Sequence, residues 1–359
     1  MFGACRLGWG RGYLARLCSA VGVLFLASAA AAERTAGSPG LPHAPNIFLP
    51  SSAPAELIRE LAWLVLSITA GIFVVVTGLL VYCVVRFRHR PGDDGHEPPQ
   101  VYGSNQVELA WTVVPLLIVV VLFLGTTRSI IAIESAAPPP DALRVTVIGY
   151  QWWWEFRYPE LGIVTANELH VPVSARDDRR PTALKLQSGD VVHSFWVPRL
   201  AGKTDVIPNR DNHMWIEPFE PGTYVGQCAE FCGTQHAKML LRVIVHPEGD
   251  FERWVAEQQR SPVVGDDPKV RAGRDAFQQT ACINCHTVGD TVATGIFGPD
   301  LSHLMSRETL GAGVAANTPE NLKAWVRDPQ QLKPGCRMPA MQLDDDALDR
   351  VVAYLLTLR

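Results

Sequence analysis

Residues 228–239 read Cys228-Ala-Glu230-Phe-Cys232-Gly-Thr-Gln-His236-Ala-Lys-Met239, and a further imidazole, His193, stands upstream in Asp190-Val-Val-His193-Ser-Phe-Trp-Val-Pro198. Two thiolates, an imidazole and a thioether within twelve residues form a soft donor set that selects copper, zinc or iron over hard cations. A Met three residues after a His points toward copper with a weak axial thioether. One copper would leave a cysteine unused. Two coppers bridged by both cysteines, each with its own His, use every residue and spread one unpaired electron over both metals. A structural zinc site on two Cys and two His also fits the spacing. So does a disulfide in an oxidising compartment, although it would leave His193, His236 and Met239 without a role.

The pattern C-x-E-x-C-G-x-x-H-x-x-M with an upstream His resembles the dinuclear copper (CuA) domain of cytochrome c oxidase subunit II, and every ligand position is filled. The resemblance implies bridging thiolates from Cys228 and Cys232, imidazoles from His193 and His236, a weak ligand from Met239, and the backbone carbonyl of Glu230 on the second copper. It also implies that the Glu230 side chain serves a magnesium or manganese site shared with the catalytic subunit. In this family a Gln-Trp pair puts a Trp near the copper edge, where electrons come in. Trp152, in Gln151-Trp152-Trp153-Trp154, is the matching residue. Strand alternation would send Trp152 and Trp154 to one face and Trp153 to the other, so packing is the competing role. Glu108, at the start of an apolar run, matches the entrance of a proton pathway; a solvated carboxylate at a membrane edge is the plainer reading.

The sequence around the motif is β-like. Runs at 143–148, 152–158, 184–186, 214–216 and 240–245 are rich in branched and aromatic residues, and Pro159, Gly162, Gly189 and Pro221-Gly222 separate them. They predict a Greek-key, cupredoxin-like sandwich over 141–250, with the motif between two late strands and His193 on another loop.

Before this domain, Leu61 to Val85 and Leu109 to Thr127 are uncharged and long enough to span a bilayer. Arg86, Arg88 and Arg90 lie between them, which places the connecting loop in the cytoplasm and both outer ends outside. A buried hairpin of a soluble protein is the alternative. Arg6, Arg11 and Arg16, an apolar run at 21–26 and an alanine-rich stretch to Ala32 have the layout of a cleaved export signal. The expected division is a signal at 1–32, a membrane hairpin within 33–140, the copper domain, a linker at 251–268 and a last domain at 269–359.

That last domain carries Cys282-Ile-Asn-Cys285-His286, the covalent c-type haem attachment pattern, with His286 as one axial ligand. A thioredoxin-like pair is opposed by the adjacent His and by the lack of a βαβ pattern. Gly273 to Phe277, Gly298-Pro299-Asp-Leu301 and a final amphipathic helix at 344–358 resemble an all-α class I cytochrome c. A sulfur as second ligand would raise the haem potential. Met338, followed by Pro339, is expected to supply it, ahead of Met341, Met305 and His303. Cys336 has no role in either motif.

At 359 residues and a net charge of −4 the chain has room for several domains and no electrostatic case for nucleic-acid binding. The whole resembles a haem–copper oxidase subunit II with a fused cytochrome c. The resemblance implies a bacterial inner-membrane protein with two spans and periplasmic redox domains, partnered by subunit I, subunit III and an outer donor such as cytochrome c. A quinol-oxidase-type subunit would have lost the cysteines and His236. A copper-delivery protein has no use for attached haem, and a nitrous oxide reductase would lack the double span.

Overall fold

Two long helices start the described part of the chain, because their apolar runs are framed by polar ends. In the computed structural model, residues 42–359 are described apart from 90, 93, 94, 96, 98, 99, 101, 136–138, 176–178, 263 and 264, so the expected signal at 1–32 and Arg90 lie outside the description. Helix α1 covers Ala53–Arg86 and α2 covers Asn105–Glu134. Both have a mean hydropathy of 2.6 over their most apolar window, none of it buried in the protein. Their apolar side chains need a lipid solvent, since water would charge about 25 cal/mol for each Å². The helices run beyond the expected spans at both ends. Pro54 sits in the first turn of α1, where its missing N–H costs nothing.

The upper ends of the helices are tied to the next domain. Ser52 Oγ accepts from Glu217 N at 2.8 Å, and Trp215 Nε1 donates to the Ile133 carbonyl at 2.9 Å. A membrane anchor thus carries the soluble domains on one side.

The middle domain is a sandwich of two five-stranded sheets. The first is ordered β3-β2-β1-β5-β8, from Ile163–Ala166, Trp153–Tyr158, Leu143–Tyr150, Thr182–Ser188 and Asn212–Ile216. The second is ordered β4-β10-β9-β6-β7, from Glu168–Pro172, Leu240–His246, Gly222–Cys228, His193–Trp196 and Thr204–Val206. Alternation puts Val145, Val147, Leu184 and Leu186 of one sheet against Leu169, Val171, Val243 and Val245 of the other. Trp154 is fully buried in this core, and Trp152 packs at its edge. Trp153 turns to the opposite face with Ala166 and Ala312, stacked on Tyr150 at 4.8 Å.

At the far end of the sandwich, His170 Nδ1 lies 2.8 Å from His246 Nε2, and His170 stacks on Trp254 of α3 (Asp250–Gln258) at 4.3 Å. Burial lowers the pKa of both imidazoles; His246 also depresses His170. A depressed folded pKa means that the unfolded chain binds more protons as the pH drops. Stability should therefore be full above the ordinary histidine value near 6.5 and fall below it. We expect the melting temperature to drop between pH 7 and 5, and His246→Leu to flatten that slope. A flat profile in the unmodified protein would count against the assignment.

The C-terminal domain is helical: α4 (Pro268–Gln279), α5 (Cys282–Cys285), α6 (Pro319–Arg327), α7 (Pro329–Leu332) and α8 (Asp345–Leu355). Asp267, Thr318, Asp328 and Asp344 each cap a helix by accepting from a first-turn N–H. Helix α8 crosses α4 at Gly273, where a Cβ would come within 1.9 Å of the Arg350 carbonyl oxygen. Only glycine lets the helices approach this closely.

The two soluble domains are joined by buried polar contacts. The fully buried Glu168 carboxylate of the sandwich accepts from Glu308 N, Thr309 N and Thr309 Oγ1 at 2.9–3.0 Å. Lys333, buried in the helical domain, donates to the Trp152 carbonyl at 2.8 Å and to the Gly311 carbonyl at 2.9 Å. Gln235 donates to the Pro334 carbonyl, and at the surface the exposed Arg337 donates to Gln151.

Candidate functional site

The sulfur-rich stretch connects β9 to β10, as its spacing predicts, with Cys228 closing β9. His193 differs from expectation. It opens strand β6 instead of lying on a loop, because its backbone pairs with Val206 of β7. That placement buries it completely.

The two Sγ atoms lie 3.8 Å apart. His193 Nδ1 is 4.0 Å from Cys228 Sγ, and His236 Nδ1 is 3.7 Å from Cys232 Sγ. Met239 Sδ approaches Cys232 Sγ to 3.8 Å, and the Glu230 carbonyl oxygen approaches Cys228 Sγ to 3.2 Å. The donors named from the sequence therefore gather around the two sulfurs, with His193, Cys228, Cys232 and Met239 buried and His236 half-buried. The Glu230 side chain faces outward and is exposed.

The set suits a cation. The hydrogen bond from Cys232 lowers the Cys228 pKa, and the same contact together with burial pushes Cys232 up. One thiolate forms readily and the second resists, since two negative sulfurs at this distance repel. A bound cation removes that conflict, and soft sulfur with imidazole matches copper.

Asp190 is the neighbour that orients the site. Its Oδ1 lies 2.8 Å from His193 Nε2, which leaves Nδ1 facing the sulfurs. Burial opposes the Asp190 charge, but hydrogen bonds from His193, Gln151 N and Val191 N outweigh it and lower the carboxyl pKa. Gln151 Nε2 and Trp152 Nε1 both donate to the Cys232 carbonyl, at 2.7 and 3.0 Å. Gly233, at φ 113°, lets the chain turn beneath the Trp152 ring, where a Cβ would have only 3.0 Å.

The second site is a crevice of about 370 Å³ in the helical domain. Cys282, Cys285 and His286 line one side, and Met338 and Met341 are also among its walls. His286 Nδ1 lies 2.8 Å from the Pro299 carbonyl, which fixes the ring and frees Nε2. Burial lowers the His286 pKa and keeps the ring neutral, as a ligand must be. His303 and Met305 do not line the crevice; Met305 packs into the domain core. Apolar walls, two thiols and a fixed imidazole fit a covalently attached haem.

Nothing in the sequence points to Gln330. Its side chain donates to the carbonyls of Cys336 and Met338 at 2.9 and 3.0 Å and accepts from Gly335 N at 2.7 Å, so it shapes the Met338 loop. It also reaches the Cys336 thiol at 3.3 Å, which accounts for that residue as part of the loop. A Gln in a short helix carries no motif to betray this.

Gln151, Trp152 and Trp153 of the sandwich close the crevice from outside. Trp152 thus lines one site and donates to the Cys232 carbonyl in the other. Glu108 is not brought to either. It is exposed in the first turn of α2, and the 26 residues to Glu134 put it about 39 Å away from the end that meets the sandwich.

Comparison with known proteins finds three matches along the chain. Residues 43–126 match the family profile described as cytochrome c oxidase subunit II, transmembrane domain; 175–246 match its periplasmic domain; 270–359 match cytochrome c. Cytochrome c oxidase subunit 2 of Alkalihalophilus pseudofirmus (strain OF4) is 34% identical over 315 residues, covering 86% of this chain and 90% of that protein. The Bacillus subtilis (strain 168) protein of the same name is 31% identical over 299 residues, covering 78% and 82%. With its membrane hairpin, cupredoxin-like sandwich and cytochrome c domain in one polypeptide, the chain belongs to the cytochrome c oxidase subunit II family.

Proposed function

We propose that this chain is the electron-accepting subunit of a haem–copper cytochrome c oxidase. It takes electrons from cytochrome c or another respiratory carrier and passes them to subunit I, where dioxygen reduction to water is coupled to proton translocation. Trp152 carries this reading: it walls the crevice and donates to Cys232.

His193, Cys228, Cys232, His236, Met239 and the Glu230 carbonyl would hold the dinuclear copper. Cys282 and Cys285 would attach haem c, with His286 and Met338 on its iron. When bound, these groups supply reversible one-electron carriage with little change in geometry. The polypeptide does the rest: Asp190 and Pro299 orient the imidazoles, Trp152 and Trp153 exclude water between the sites, and Lys333 fixes the Trp152 backbone. The outward Glu230 carboxylate suits a magnesium or manganese ion at the subunit I contact. Glu108, on the other side of the membrane, suits a proton entrance.

In this reading residues 1–32 are an export signal, 33–140 the membrane part, 141–250 the copper domain, 251–268 a linker and 269–359 the cytochrome. The basic residues Arg86 and Arg88 between the helices support a bacterial inner-membrane protein with its redox domains in the periplasm. Subunit III would complete the assembly.

Stopped-flow mixing of the assembled oxidase with a reduced donor tests this. Haem absorbance should change before copper absorbance, and Trp152→Leu should slow the copper phase with both spectra unaltered. Equal copper rates after Cys282→Ala and Cys285→Ala would sink the proposal. Met338→Ala should abolish the weak far-red sulfur-to-iron band and lower the haem potential. If Met341→Ala does so instead, the ligand is Met341.

A further inference from the structure

We propose that a second cavity, where the helices meet the outer sheet, takes the phosphate headgroup of an anionic phospholipid from the leaflet beneath the soluble domains. The cavity measures about 640 Å³. Pro54 and Ile58 of α1 and Ile133 of α2 form its apolar floor, and Arg144, Lys185 and Lys203 reach its rim.

Its height is that of a headgroup layer. Ile58 and Pro54 stand three and seven residues above Leu61, where the apolar run begins, or about 4.5 and 10 Å along the helix. Ile133 lies six residues past Thr127, about 9 Å along α2. The polar layer of a bilayer leaflet is about 5–8 Å thick beyond the hydrocarbon. The cavity therefore opens where lipid phosphates lie.

Its walls do not depend on loose segments. Trp215 Nε1 holds the Ile133 carbonyl at 2.9 Å, Ser52 holds Glu217 N at 2.8 Å, and Ile58 packs against Gly202, where a Cβ would have 3.2 Å.

The charges favour an anion. Three cations line the cavity against one carboxylate, Glu134. Arg144 reaches Glu160 at 3.7 Å and Lys185 reaches Asp211 at 2.8 Å, both solvent-exposed pairs that a phosphate can displace. Lys203 is exposed and has no ion-pair partner among the described residues, and His213 adds a titratable donor. A free phosphate would meet the same cations but leave the floor of Pro54, Ile58 and Ile133 uncovered. A lipid covers both.

The test uses the assembled oxidase in phosphatidylcholine nanodiscs with or without phosphatidylglycerol, one copy of which carries a photoreactive group near its phosphate. Crosslinks are expected in peptides containing 183–185 and 201–215. Arg144→Gln with Lys203→Gln should reduce labelling roughly thirtyfold, about fivefold for each cation near the surface, with haem and copper spectra intact. Three results would overturn the proposal: equal labelling by a phosphatidylcholine probe, labelling unchanged in the double variant, or labelling only in the isolated chain, which would mean that another subunit fills the cavity. Competition by inorganic phosphate as strong as by phosphatidylglycerol would assign the site to the free anion and overturn the lipid.

Discussion

Cys228→Ser or Cys232→Ser is expected to abolish the two-copper electronic state and cut turnover of the assembled oxidase by more than ~100-fold. Losing an outer partner of a metal site costs about 10–100-fold, and each of these sulfurs stands inside the donor set. The Sγ atoms are 3.8 Å apart, with one imidazole beside each, so neither cysteine can replace the other. Electron paramagnetic resonance checks the prediction. The unmodified protein should give hyperfine structure from two equivalent copper nuclei, and the Ser variants should lose it. A single-copper pattern in the properly matured unmodified protein, or zinc as its sole metal, would end the two-copper reading. Asp190→Ala should be milder: it frees the His193 ring and should weaken copper binding by about 10–100-fold. Met239→Leu should retain both coppers and shift the potential, because an axial thioether binds weakly.

The second large effect is structural. Glu168→Leu should uncouple the cytochrome domain from the sandwich at a cost on the order of 3–5 kcal/mol. The carboxylate is wholly buried, and removing it strands Glu308 N, Thr309 N and Thr309 Oγ1. Each stranded donor costs about 1–3 kcal/mol, less whatever water can recover. Burial raises the Glu168 pKa against the pull of those hydrogen bonds. Calorimetry should resolve two transitions in the variant. A single transition at the original temperature would show that the apolar contact of Trp153 with Ala312 suffices. Lys333→Met should act in the same direction by releasing the Trp152 carbonyl.

What was legible in the sequence is what is local in the sequence. Cys228, Cys232, His236 and Met239 fall on one connection, and Cys282, Cys285 and His286 on another, so spacing points to a soft-metal site and a haem attachment pattern, and the family resemblance supplies the rest. The strands at 143–150, 153–158, 182–188, 212–216 and 240–246 showed themselves by composition, whereas Gly222–Cys228 and Glu168–Pro172 did not, and Ile163–Ala166 and Thr204–Val206 are too short to carry a period. His193 was identified through the motif but assigned to a loop, because a His-Ser pair before Phe195 has no strand signature of its own. The contacts between domains left no trace. Glu168 meets Thr309 across 141 residues and Lys333 meets Trp152 across 181, and no propensity or periodicity reports pairing over such separations. Gln330 escaped notice for the same reason, since a glutamine that bonds a loop looks like any surface glutamine.

The buried contacts that join the sandwich to the cytochrome make the meeting of the two sites part of a folded chain. Mass action no longer governs the meeting of the two redox sites, and the effective concentration of one at the other is set by geometry. Ionic strength loses its hold as well. Screening acts on exposed charges over about 10 Å at 0.1 M salt, whereas Glu168 and Lys333 are shielded from the solvent ions. The step inside the chain should therefore vary less between dilute and concentrated salt than the encounter with any outside partner does.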